Sequence, residues 1–158
     1  MQPLAPLLTP ERTACQVPGL SKKRLFESLA RIISDDQLSL SYDEVFSHFI
    51  AREKLGSTGL GDGIAIPHCR IGNCSQPTGA LLTLEEPIDF DSPDNQPVDL
   101  VFALLVPEEA HQQHLETLAG LARLFSQSRF CDALRAARGD AELFRIATEA
   151  EAVAPRGH

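Results

Sequence analysis

The chain has 158 residues, 43% hydrophobic and 23% charged, which suits one globular domain that buries about 70% of its unfolded surface without staples. Its 14 basic and 22 acidic residues leave a formal charge of −8. That sign excludes nucleic acid and anionic lipid as partners, which need clustered Lys and Arg, and suits docking to a basic protein surface.

Residues 1–8 read as an irregular lead-in, broken by Pro3 and Pro6 and lacking the basic start of a secretory signal. A helix follows over 22–34, where Leu25, Phe26, Leu29, Ile32 and Ile33 form one apolar stripe and Ser21 caps the start. A second runs over 42–54, with a Ser41/Glu44 capping-box pattern and Val45, Phe46, Phe49 and Ile50 on its apolar face. The segment 56–63, GSTGLGDG, reads as a loop. Three short apolar runs, 64–66, 79–84 and 98–106, read as strands; the last, VDLVFALLV, suits a strand covered on both faces.

After Pro107 the helical period returns, with Leu115, Leu118, Ala119, Ala122 and Phe125 as its face and an end near Ser126. Shorter helices are expected over 129–137 and 141–149, with Gly139 stopping the first. Helices, then strands, then helices predict a single-domain α/β sandwich around a central sheet covered on both faces. No apolar run approaches the ~20 residues of a membrane span. Cys15, Cys69, Cys74 and Cys131 form no CxxC pair, so free thiols in a reducing cytoplasm are expected.

Chemistry-bearing residues concentrate in Leu55 to Arg70, LGSTGLGDGIAIPHCR. The glycines let backbone amides approach a ligand, but the segment lacks the GK[ST] ending of a phosphate loop and the GxGxxG spacing of a dinucleotide fingerprint. His68 follows Pro67 at the end of an apolar run, where a strand would deliver it to a sheet edge, and a neutral imidazole attacks phosphorus at neutral pH. His114 shares a helix face with Leu118 and Leu121 and so points inward near a helix start. Arg52, just before the glycine segment, offers a fork for phosphoryl charge. Each alone better suits the plainer reading: a loop histidine, a satisfied core histidine and a solvated arginine. The rival chemistry is a metal site using His111, His114 and the His68–Cys69 neighbours, which a strand would point to opposite faces.

Together these segments resemble the IIA domains of the bacterial phosphotransferase system, fructose/mannitol type, and within them the nitrogen-regulatory branch. The resemblance spans about residues 8–150 and rests most on GSTGLGDGIAIPH (56–68), DNQPVDLVFALLVP (94–107) and HLETLAGLA (114–122). It implies a type-2 IIA domain over 9–150 with a mixed β-sheet, followed by a polar tail at 151–158. His68 would accept a phosphoryl group, His114 and Arg52 would hold its oxygens, and Ser57, Thr58 and Gly59 would form a phosphoryl-binding loop. One ring nitrogen of His68 would attack while the other bonds to a backbone acceptor. No cofactor and no metal are implied. The implied donor is an HPr-like, nitrogen-branch phosphocarrier, and the implied output is regulation of targets such as transporters or sensor kinases. A sugar-transport component passing the group to a IIB domain stands as the alternative. Cys69 and Cys74 flank the site, and Cys69 is a candidate for oxidative interference.

Overall fold

The computed structural model describes residues 2–19, 21–109 and 111–151. A single 3-10 turn at Pro10–Arg12 leads into β1 (Thr13–Val17), α1 (Lys22–Asp36) and α2 (Tyr42–Lys54). Then come β2 (Gly59–Gly61), β3 (Ile64–Ala65), β4 (His68–Ile71), β5 (Thr78–Ile88) and β6 (Val98–Pro107). Three helices close the described chain: α3 (His111–Phe125), α4 (Ser128–Ala136) and α5 (Asp140–Glu149). The six strands form one mixed sheet with helices on both faces, the α/β sandwich that the sequence predicts.

β6 is the centre of the sheet. It pairs antiparallel with β5 on one edge and parallel with β3 and then β4 on the other. From Leu100 to Val106 its side chains alternate strictly: Val101, Ala103 and Leu105 join α1 and α2, while Leu100, Phe102, Leu104 and Val106 join α3, α4 and α5. That is why nearly every residue of the strand is apolar. Gly79 pairs with Leu104 and lies diagonally under Phe102: a Cβ built on it would fall 2.7 Å from the ring and 3.2 Å from Leu7 O, so glycine suits that position.

Both capped helices start as predicted, Ser21 Oγ accepting from the Arg24 amide and Ser41 Oγ from the Glu44 amide. Asp36 ends α1 at the negative pole of the helix dipole, an unfavourable place for a carboxylate. Buried Arg12 offsets it with an ion pair, while its Nε donates to Gly79 O at 2.8 Å and its Nη2 to Leu7 O at 3.0 Å. Residues 2–8 carry no helix or strand, yet Leu4, Leu7 and Leu8 are buried with α3–α5.

Several elements differ from expectation. β1 has no alternating apolar signal, and β2 lies inside the segment read as a loop, because backbone pairing with β3 needs no side chains. Among the described side chains of α3 the buried ones are Leu121, Leu124 and Phe125, while Leu115 is 62% exposed and Ala119 and Ala122 face solvent. Leu and Ala fill so many positions there that spacing admits more than one stripe. Gly139 is extended (φ −164°) and caps the start of α5 rather than ending α4. Beyond Glu151 the polar tail lies outside the described residues.

Breaking the Arg12 pair should be costly, since removing one partner of a buried ion pair strands the other. We expect Arg12→Met to lower the urea-unfolding free energy by about 3 kcal/mol, the low end for such pairs because Asp36 keeps some water contact. Adding Asp36→Asn should recover part of the loss.

Candidate functional site

β4 is the outer edge of the sheet beyond β6, and it begins where Pro67 interrupts the strand that β3 started. The register is unbroken: Ile64 faces Leu100, and four residues on His68 faces Leu104, with Leu104 N donating to Pro67 O at 2.8 Å. His68 therefore opens a strand rather than closing one, as the apolar run had suggested. Over this edge α2 passes from one face and the start of α3 from the other, leaving an open depression of about 1060 Å³. Arg52, His68 and His114 all line it, so the structure brings together three residues that are 16 and 46 positions apart from His68 in sequence.

The ring of His68 is fixed by its own backbone. Its Nδ1 lies 2.7 Å from Ile66 O, and since a carbonyl only accepts, Nδ1 carries the proton and Nε2 keeps its lone pair. Burial lowers the His68 pKa from its ordinary value; the Ile66 bond raises it, the Arg52 charge lowers it and the Glu53 charge raises it. The ring is thus neutral near pH 7, the form that can act as a nucleophile. The His114 ring centroid is 5.8 Å from that of His68, tilted by 47°. His114 lies in the first turn of α3, where the helix dipole favours an anion.

Arg52 Nη1 donates to Gly56 O at 2.9 Å, just past the end of α2. The neighbouring Glu53 carboxylate is buried and takes Thr58 N (3.1 and 3.3 Å), Thr58 Oγ1 (2.7 Å) and Lys22 Nζ (3.0 Å). Ser57 Oγ donates to Phe90 O at 3.0 Å and accepts from Gly59 N at 3.1 Å. A Cβ on Gly59 would fall 2.4 Å from Ser92 Oγ. Ser57, Thr58 and Gly59 are not among the residues lining the depression, and both hydroxyls and the amides of Thr58 and Gly59 are engaged within the connection or with Phe90 O and Glu53. They form a packed connection beside the depression, tied to Phe90 O and to the Glu53 carboxylate.

Burial pushes the Cys69 thiol up to about 12, with Cys74 adding to the rise. A thiol so protonated is a poor nucleophile and a poor target for oxidants, which removes the physical basis for oxidative interference there. Among the described residues no group of three or more His, Cys, Asp or Glu is placed to hold a metal ion. The His111 side chain of the metal reading lies outside the described atoms.

Sequence reasoning missed Glu53 and also His48, Arg70 and Glu108, which line the same depression. For Glu53 a signal existed: an acidic residue in the last turn of a helix opposes the dipole and asks for a specific partner. Leu55 (84% exposed) and Leu115 (62%) stand at the rim as large apolar side chains in water.

The family model described as "Phosphoenolpyruvate-dependent sugar phosphotransferase system, EIIA 2" matches residues 6–150. A nitrogen regulatory protein of Pseudomonas aeruginosa is 44% identical over 148 residues, covering 94% of this chain and 96% of that one. The crystal structure of nitrogen regulatory protein IIA-Ntr from Neisseria meningitidis superposes with a TM-score of 0.82 at 43% identity, covering 92% of this chain and 99% of that one. The crystal structure of IIA mannitol from Escherichia coli shares the fold, with a TM-score of 0.72 at 16% identity over 89% of this chain and 98% of that one.

The lowered pKa of His68 has a measurable sign. The folded state resists protonation, so this residue costs no stability above pH 6.5, and folding weakens as pH falls from 6.5 toward the lowered value. Nitrogen-15 NMR should place the His68 titration midpoint below 6.5, and His68→Gln should flatten that part of the acid-induced loss. A midpoint at or above 6.5 would contradict the burial argument.

Proposed function

Because the chain belongs to the phosphotransferase-system EIIA 2 family, and so is a phosphotransferase component of that system, we propose that it accepts a phosphoryl group on His68 from an HPr-like, nitrogen-branch phosphocarrier. The observation that carries the reading is the Nδ1–Ile66 bond, which holds a neutral imidazole with its Nε2 lone pair available in a depression shared with Arg52 and His114. In the transfer, the Nε2 pair forms a new N–P bond as the donor's N–P bond breaks in line, its electron pair returning to the donor imidazole. Nδ1 keeps its proton throughout. Arg52 neutralises charge on the equatorial oxygens, and His114, 5.8 Å away across the depression, donates to one of them. The step uses an already activated donor and needs no bound cofactor.

Phosphorylation would add about −1.5 to −2 charges to this edge of the molecule. The relatives named nitrogen regulatory proteins favour a regulatory output over sugar transport, with target proteins such as transporters or sensor kinases reading that charge in the cytoplasm. Among the described residues no helix is long and apolar enough to cross a membrane.

Incubation with a phosphoenolpyruvate-driven donor cascade, followed by intact mass, tests the reading. We expect one acid-labile phosphoryl adduct on the wild type and none on His68→Ala. His114→Ala and Arg52→Ala should still accept the group, each about a hundredfold more slowly. An adduct that persists in His68→Ala, or none with any competent donor, would overturn the assignment.

A further inference from the structure

Glu53 has a place in the site that its sequence position hides. Two neighbours at the end of α2, Arg52 and Glu53, grip the same short connection at two points. Arg52 holds it through Gly56 O, and Glu53 through the amide and hydroxyl of Thr58. Gly56 has a φ of 156°, and a Cβ built there meets nothing within 4 Å, so neighbouring atoms do not pack this residue into place. At Gly56 the connection is held by the Arg52 side chain and by the helix-end bonds Leu55 N to Arg52 O and Gly56 N to Glu53 O, both 3.1 Å, while beyond it Glu53 shares the hold on residues 57–59 with Phe90 O and Ile66 N.

The Glu53 carboxylate is in turn held by Lys22 Nζ at the start of α1. That ammonium also donates to Phe90 O at 3.0 Å, reaches Asp91 at 3.3 Å and sits 4.5 Å from the Phe90 ring centre. The first turn of α1, the end of α2, the glycine connection and the β5–β6 link therefore meet at the Glu53–Lys22 pair. Arg52, whose guanidinium lies at the depression, takes its anchor from this hub.

We propose that Glu53 is a positioning residue: it fixes the Gly56 carbonyl and through it the direction of the Arg52 guanidinium beside His68. This rests on the phosphoryl-acceptor reading for its effect on transfer, though not for its effect on Arg52 itself. Glu53 touches no reacting atom, so its influence must pass through Arg52. Misplacing a charge-clamping group by about 1 Å can cost up to a hundredfold in rate. Glutamine at 53 keeps one acceptor for Thr58 and should lose less.

The test compares wild type, Glu53→Gln, Arg52→Ala and the double variant, with Lys22→Met as a variant that loosens the hub from its other side. Two quantities are read: the phosphoryl-transfer rate at saturating donor, and the Arg52 Nε–H signal in unphosphorylated protein by NMR. Glu53→Gln should slow saturated transfer by about tenfold with the donor concentration at half-saturation unchanged. In the Arg52→Ala background it should change the rate less than twofold. The Arg52 Nε–H signal should shift and sharpen toward that of a free side chain in Glu53→Gln, and less in Lys22→Met. An equal tenfold loss with and without Arg52, or an Arg52 signal unmoved by Glu53→Gln, would overturn the proposal. If the wild type accepts no phosphoryl group, the acceptor reading fails, and the Arg52 signal still decides whether Glu53 positions it.

Discussion

The hydrogen bond from His68 Nδ1 to the Ile66 carbonyl joins the chemistry of this chain to the architecture of its sheet. It requires a backbone carbonyl on the outer edge of a strand with no neighbouring strand to use it. The sequence meets that requirement in two ways. Pro67 has no N–H and interrupts the edge strand without shifting its register against β6. On the outer side the chain pairs with Ile66 N through Thr58 O at 3.0 Å and then turns away toward α2, where Glu53 holds Thr58. The Ile66 carbonyl is left to the ring two residues on. A side chain bonded to its own backbone across two residues loses little entropy on ordering, so the imidazole is oriented before any partner arrives.

Charge is arranged with the same economy. The chain carries −8 overall, yet two guanidinium groups, Arg52 and Arg70, line the depression against one carboxylate, Glu108. On the proposed function, a phosphoryl group arriving there would meet a small excess of positive charge on an otherwise acidic molecule. Leu55 and Leu115 at the rim supply apolar area without closing the depression, which suits the transient docking of one protein carrier on another. The fold behind the site is stiff: β6 is buried along most of its length, and Arg12 ties the N-terminal segment, β5 and the end of α1 into one buried cluster.

The parts legible in the sequence were those where side chains alone carry the signal. The α2 boundaries follow from a Ser N-cap and a four-residue apolar face, and the centrality of β6 from its unbroken apolar run. Arg52, His68 and His114 were each ambiguous by residue type, and only the resemblance made them a set. What stayed hidden was decided by backbone or by context. β1 is a polar-rich strand held by a parallel partner 68 residues away in register, Thr13 against Leu81. β2 lies among glycines, and Ser57 and Thr58 looked available because their hydroxyl partners, Phe90 O and Glu53, lie on other elements. Leu115 was placed in the core because a leucine at helical spacing cannot announce that it borders a site.

The central claim is that the Ile66 carbonyl selects which ring nitrogen reacts. The measurement that tests it most directly is long-range proton–nitrogen NMR of the phosphorylated protein, which distinguishes the two phosphohistidine isomers by their coupling patterns. Phosphoryl on Nε2, with Nδ1 still protonated and hydrogen-bonded, is the predicted result. Phosphoryl on Nδ1 would contradict the account, because that nitrogen can be reached only by breaking the bond on which the geometry of the site depends.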